Sequence, residues 1–266
     1  MNDSFNNKYG SWALVTGATS GIGAELTRQL AAKGLNIVLV ARKEKELEDH
    51  SSLLRNNYNI KTKYVSADLA TDEGIDKIKQ IQEEIGLLVL AAGVETNGAF
   101  EKTSLEKELL TIQLNVVATL ELTHYFSKAM IERKKGGILM ISSLSGHMPN
   151  PYFSNYAGTK AYVLNLGASL YGELKPKGVD VSVLSPGLTN TPMVANNGMD
   201  WSKTPMKAID PSLVAEIGIN GLGKRFLSIP GGKNKIMGWM AKHMPTEMQA
   251  RANEKMVRKA IDISKI

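Results

Sequence analysis

Short apolar runs alternate along the chain with longer stretches in which apolar residues return every three or four positions. Residues 12–15 (WALV), 36–40 (NIVLV), 62–67 (TKYVSA), 87–92 (LLVLAA), 137–142 (GILMIS), 179–185 (VDVSVLS) and 225–230 (RFLSIP) have strand length and strand composition. Helical periodicity occupies 24–33, 43–56, about 73–84, 105–134 and 155–174 between them. The strands are mostly apolar throughout rather than alternating, as strands covered on both faces should be. Strand–helix alternation of this kind predicts an α/β fold of the doubly wound Rossmann type. Its sheet is mostly parallel, with about seven strands and helices on both faces. No internal repeat or Pro/Ser-rich linker interrupts the pattern, so residues 1–266 are read as one domain.

Composition narrows the chemistry. The chain has no cysteine, which excludes disulfides, thiolate zinc sites and cysteine nucleophiles. Its four histidines, His50, His124, His147 and His243, lack metal-ligand spacing, and no metal is expected. The net charge of +6 lies partly in the tail from Lys224 to Lys265, where basic residues are interspersed with apolar ones, so nucleic acid is not an expected partner. Residues 1–12 lack an apolar run of signal-peptide length. Nor does any window have the 18 or so apolar residues of a transmembrane helix. A soluble, cytoplasmic protein is expected.

The turn after the first strand reads TGATSGIGAEL, with Gly17, Gly21 and Gly23 between strand and helix. Glycines there allow a tight turn and let backbone N–H groups approach a pyrophosphate at the helix N-terminus. The second strand ends in Ala41-Arg42-Lys43, without the acidic residue that would bind the ribose hydroxyls of NAD. An arginine suits a 2′-phosphate, so NADP(H) is expected over NAD(H). Tyr156 and Lys160 stand four residues apart in a helical run and therefore on one helix face. An ammonium beside a phenol stabilises the phenolate, which should lower the phenol pKa towards neutrality.

These segments, taken in order, resemble the short-chain dehydrogenase/reductase family over nearly the whole chain. The resemblance rests on the glycine segment 16–23, Asp68 in SADL, Asn115 in QLNVVA, Ser143 in MISSLSG, the Tyr156/Lys160 pair and SPGLTNTPM from Ser185. Within the family the chain is most similar to soluble bacterial hydroxysteroid and ketoacyl reductases. The resemblance implies that Tyr156 is the general acid–base, tuned by Lys160. Ser143 would hold the substrate oxygen, and Asn115 would mark a local helix kink serving a proton relay. Cofactor contacts would come from Gly17, Thr19, Ser20, Gly21, Ile22, Gly23, Arg42, Asp68, Leu69, Ala92 and Gly93. Asn115, Tyr156, Lys160, Pro186, Gly187, Thr189 and Thr191 complete that set. Ser142 and Ser145 remain alternatives to Ser143. One departure stands out: Leu90-Ala91-Ala92-Gly93 replaces the usual Asn-Asn-Ala-Gly, removing amides that brace strands.

Residues 191–212 are too long for a simple connection and are read as a substrate lid, followed by a helical extension over 233–266. The lid supplies Met193, Val194, Met199, Trp201 and Met206, which suit an adaptable apolar pocket. Met237, Trp239, Met240 and Met244 either join that pocket or close the core. Tyr152 and His147 either line it or are incidental. The expected activity is NADP-dependent interconversion of a carbonyl and an alcohol on a predominantly apolar small molecule. One rival is a catalytically silent NADPH-binding module. The other is a nucleotide-sugar epimerase or dehydratase, for which the chain is short. Apolar residues on more than one face of 105–134 and 155–174, including Leu164, Leu166, Leu170 and Tyr171, predict a homo-oligomer, dimer or tetramer.

Overall fold

The structure, a computed structural model, describes residues 3–262. Its first half contains α1 (Asp3–Tyr9), β1 (Trp12–Thr16), α2 (Gly21–Ala32), β2 (Asn36–Ala41), α3 (Glu44–Tyr58), β3 (Thr62–Ser66), α4 (Asp72–Lys79) and β4 (Ile85–Leu90). Then follow α5 (Leu105–Ile112), α6 (Ala118–Glu132), β5 (Gly136–Ile141), α7 (Ser154–Leu174) and β6 (Val179–Leu184). The chain continues through α8 (Pro192–Ala195), α9 (Pro211–Gly221), β7 (Leu227–Ser228), α10 (Gly232–Met240) and α11 (Thr246–Ala260).

All seven strands pair in parallel, in the order β3-β2-β1-β4-β5-β6-β7. Alternate residues along each strand enter opposite layers, which explains the continuous apolar runs. Ala13, Val15, Ile37, Leu39 and Val89 pack with Leu26, Leu30, Leu54 and Val214 of α2, α3 and α9. Leu14, Val38, Val40, Leu88 and Leu90 pack on the other face with Ile75, Leu122, Phe126 and Val163 of α4, α6 and α7. The chain runs outward from β1 to β3, then returns to set β4 beside β1. That reversal opens a crevice at the C-terminal ends of β1 and β4, the usual ligand position in such sheets.

Three elements differ from the sequence pattern. The polar N-terminus forms α1, whose Tyr9 is fully buried and donates to Asp180 Oδ2 at 2.9 Å. Lys8 and Lys175 pair with the same carboxylate, at 2.7 and 2.5 Å. The helical run 105–134 is interrupted by a π-helical turn, Gln113–Val117, between α5 and α6. The last strand contracts to Leu227–Ser228.

Leu105, Leu109, Leu110, Ile112, Leu120 and Tyr125 of α5, α6 and their junction are exposed, Leu105 to 71%. Leu164, Leu166, Leu170 and Tyr171 instead lie against the core, partly covered. No helix among the described residues is long and apolar enough to cross a membrane.

Candidate active site

The glycine turn forms one wall of a cavity at the crevice. Gly17 and Gly21 have φ of +65° and +52°, which side-chain-bearing residues rarely adopt. A Cβ on Gly23 would lie 2.1 Å from the Gly17 carbonyl oxygen, so the helix can start this close to the turn only with glycine. The first turn of α2 contains no acidic residue, and its leading amides lack intrahelical partners. Gly17, Ser20, Gly21, Ile22 and Gly23 line the cavity here, opposite Ala92 and Gly93. The departure at 90–93 leaves that strand end braced by other means. Thr16 Oγ1 accepts the Ala91 and Ala92 amides, each at 3.0 Å.

The middle of the cavity is lined by Ser143, Tyr156 and Lys160. Ser143 follows β5, and Tyr156 and Lys160 lie one turn apart on α7. The 3₁₀ turn Leu144–His147 packs closely on α7, where a Cβ on Gly146 would come within 2.7 Å of Lys160 backbone atoms. Three adjacent serines have different partners. Ser142 Oγ donates to the Lys160 carbonyl at 2.7 Å, and Ser145 Oγ accepts from Asn150 at 3.0 Å. Ser143 lies beside the Tyr156 phenol and acts on it, and its Oγ accepts the Ser145 amide at 3.2 Å. Of the three hydroxyls, it is the one turned to the phenol.

Lys160 Nζ donates to the Ile141 carbonyl at 3.0 Å and lies 5.7 Å from the Tyr156 ring centroid. Burial pushes its ammonium down to about 8, partly opposed by the charge of Glu95. Burial pushes the Tyr156 phenol up; Glu95 adds to this and Ser143 opposes it. The sequence argument that Lys160 lowers the phenol pKa is therefore corrected for this structure. Burial and the Glu95 charge outweigh the opposing Ser143 contact, and the phenol is held as a protonated donor.

Asn115 lies in the π-helical turn, where the helical period breaks as its sequence position suggested. Its Oδ1 accepts the Val94 amide at 3.0 Å. Its Nδ2 donates to the Val94 carbonyl and to Thr159 Oγ1, at 2.9 and 3.1 Å. The side chain thus ties the strand β4 exit to α7 behind Gly93. Asn115 itself does not line the cavity.

The other sequence candidates divide. Pro186, Gly187, Thr189 and Thr191 line the cavity, whereas Thr19, Arg42, Asp68 and Leu69 do not. Arg42 and Asp68 are exposed at the ends of β2 and β3, and Leu69 is buried. Met193, Val194, Trp201 and Met206 from residues 191–212 line the cavity, but Met199 does not. Of the tail candidates Met237, Trp239, Met240 and Met244, Met237 reaches it; Trp239 and Met240 are exposed. Tyr152 does not line the cavity: its hydroxyl donates to Glu254 at 2.8 Å. His147 is also outside it, with burial pushing its imidazole down.

Sequence reasoning missed Glu95, Leu144, Met148, Phe153, Asn253, Met256 and Val257, all of which line the cavity. For α11 a signal existed. Gln249, Asn253, Met256, Val257 and Ala260 recur at helical spacing on one face. The helix also supports residues 191–212, since the Asp200 amide donates to the Ala260 carbonyl at 2.8 Å.

Comparison with known proteins adds identity to this geometry. The family described as short chain dehydrogenase matches residues 11–201. A 7beta-hydroxysteroid dehydrogenase of Mediterraneibacter gnavus is 31% identical over 243 residues, 89% of this chain and 92% of that protein. A solved structure of a 7beta-hydroxysteroid dehydrogenase superposes with a TM-score of 0.84 at 27% identity, covering 93% of this chain and 98% of the other. A short-chain dehydrogenase from Sphingobium yanoikuyae in complex with NADPH gives a TM-score of 0.79 at 27% identity, covering 88% and 96%. The glycine turn and the Ser143, Tyr156 and Lys160 cluster stand on a sheet shared with these enzymes, and the chain belongs to the short-chain dehydrogenase family of oxidoreductases.

Proposed function

We propose that the protein is an NADP-dependent oxidoreductase that interconverts a carbonyl and an alcohol on a predominantly apolar small molecule. The observation that carries this reading is one cavity in which three features meet. They are a glycine turn at a helix start, a Ser–Tyr–Lys cluster and a wall of Leu144, Phe153, Met193, Trp201, Met206 and Val257. The relative in Mediterraneibacter gnavus is named for a hydroxysteroid, which agrees with an apolar wall.

The residues fit a dinucleotide. A Cβ on Gly17 would come within 3.0 Å of the Ala92 backbone, so glycine lets the turn pack directly on the β4 exit beside the cavity. The helix start at Gly21 suits a pyrophosphate, through its free amides and its dipole. The Arg42 guanidinium makes no ion pair or side-chain hydrogen bond among the described residues, and is free to take a 2′-phosphate. The Sphingobium yanoikuyae structure, which contains NADPH, supports the same choice. When bound, the cofactor supplies the hydride equivalent.

The chain's own residues then position the substrate and move the proton. The Ser143 hydroxyl donates to the substrate oxygen and holds it beside the phenol. Tyr156, kept protonated by its burial, gives its proton to that oxygen as negative charge develops there. Lys160 offers hydrogen bonds to a ribose and a positive field beneath the phenol, anchored by the Ile141 carbonyl. Residues 191–212 act as the lid, excluding water from the reacting centre.

The experiment compares kcat/KM for NADPH and NADH with an apolar cyclic ketone. NADPH should be preferred by at least about 10-fold, because a lost charge-assisted contact is worth about 1.5–3 kcal/mol. Arg42→Asp should remove most of that preference, by repelling the phosphate and accepting from ribose hydroxyls. An unaltered protein that prefers NADH contradicts the cofactor assignment.

A further inference from the structure

Among the groups lining the cavity, the proposed chemistry leaves one charged side chain unused. Glu95 follows the end of β4 on the wall shared by Tyr156 and Lys160, and its charge acts on both. Its Oε1 accepts from Asn197 Nδ2 of the lid at 2.8 Å. Asn197 is itself buried and fixed, its Oδ1 accepting the Met199 amide at 2.9 Å. Its carbonyl accepts from Asn97 Nδ2 at 3.1 Å. Glu95 Oε2 has no hydrogen bond to any described residue. Burial pushes this carboxyl up, opposed by the Asn197 hydrogen bond and the Lys160 charge.

A neutral amide would serve equally well to accept one hydrogen bond from Asn197. A carboxylate withdrawn from water in a cavity wall is costly unless its acceptor sites are used. One is engaged by Asn197, and the other has no such partner on a residue that lines the cavity. A cationic ligand group would meet the repulsion of Lys160 nearby, whereas a hydroxyl would not. We propose that Glu95 is a specificity-determining residue: its free carboxylate oxygen accepts a hydrogen bond from a hydroxyl on the substrate. The preferred substrate is then a hydroxyl-bearing apolar ketone rather than a bare hydrocarbon ketone. This rests on the carbonyl–alcohol reading above and extends it to a substrate class.

The test uses rigid cyclic ketones in pairs, with the hydroxyl walked around the ring and each compound set against its deoxy counterpart. The full chain is assayed with NADPH, and the ratio of kcat/KM within each pair is read. At least one hydroxyketone should exceed its counterpart by about 10-fold or more, the worth of a hydrogen bond to a charged group. Glu95→Leu should bring that ratio close to one, and Glu95→Gln, which keeps the shape and one acceptor, should leave an intermediate value. Ratios unchanged in both variants, with kcat/KM falling equally for both members of a pair, would make Glu95 a lid latch or a tuner of Lys160 and overturn the proposal. So would the absence of any preferred hydroxyketone in the unaltered protein. The same pairs are also titrated by tryptophan fluorescence into the NADPH complex, which reads the ratio as Kd without turnover. A preserved Kd ratio with no ketone reduced would strike the oxidoreductase reading and leave the Glu95 site standing. A Kd ratio of one in a turning-over enzyme would do the reverse.

Discussion

Replacing Tyr156 with phenylalanine should lower kcat for ketone reduction by about 10³-fold, within the two to four orders of magnitude typical of a lost general acid. Phe keeps the ring and therefore the edge contact with Phe153, at 6.5 Å between centroids, and the stacking over Lys160. What it removes is the proton. The neighbouring hydroxyls do not replace it, because Ser142 donates to a backbone carbonyl and Ser145 is engaged by Asn150. Ser143 remains, yet an aliphatic hydroxyl is a far weaker acid than a phenol. The dissociation constant for NADPH should change less than about threefold, since ring and lysine stay in place. Turnover within tenfold of the unaltered protein would place the proton donor elsewhere.

Lys160→Met should reduce activity and change stability in opposite directions across the pH scale. The lysine is buried, bonded to one carbonyl, and its ammonium is pushed from 10.5 down to about 8. A shift of that size corresponds to roughly 3 kcal/mol of charge-burial cost, at about 1.36 kcal/mol per unit. The folded pKa is depressed below the unfolded one. The cost is therefore full below pH 8, falls as pH rises through 8 to 10.5, and is absent above. Methionine avoids it at similar length but leaves the Ile141 carbonyl without its donor, a loss of about 1–3 kcal/mol. The variant should be as stable as the unaltered protein or more so near pH 7, and clearly less stable above pH 10.5. Its kcat/KM should fall at least about 100-fold, because the proton donor loses its supporting charge and the ribose its donor. Denaturant melts of both proteins across that pH range give the comparison. Parallel stability curves would mean that the lysine is solvated rather than buried.

The sheet was legible because its inner strands are buried on two faces and so apolar throughout, whereas the edge strand β3 is partly exposed. Leu14 and Val15 go to opposite layers, and so do Val38 and Leu39. The short last strand was overread, since only Leu227 and Ser228 find a partner in β6. Helix α1 was not legible. Its sequence is polar, and it is held by Phe5, Lys8 and Tyr9, the last bonded to Asp180, 171 positions away. In the site, Tyr156 and Lys160 could be paired because one helix face fixes their spacing, and Ser143 was named from the family resemblance. Glu95 and Phe153 could not be named, since each reaches the cavity from a loop placed by tertiary contacts. Met193 and Met206 of residues 191–212 line the cavity, whereas Met199 does not. In the tail, α10 buries Gly238 alone and leaves Trp239 outside.

The central claim is that the cavity reduces apolar ketones with NADPH, and its most direct test is kcat/KM along a ketone series lengthened one methylene at a time. Each methylene buried against Leu144, Met193, Met206 or Val257 contributes about 0.8 kcal/mol. Efficiency should therefore rise about fourfold per carbon until the cavity is full, then level off. Flat or falling efficiency along the series, with charged sugars or small hydroxy acids preferred instead, would contradict the account.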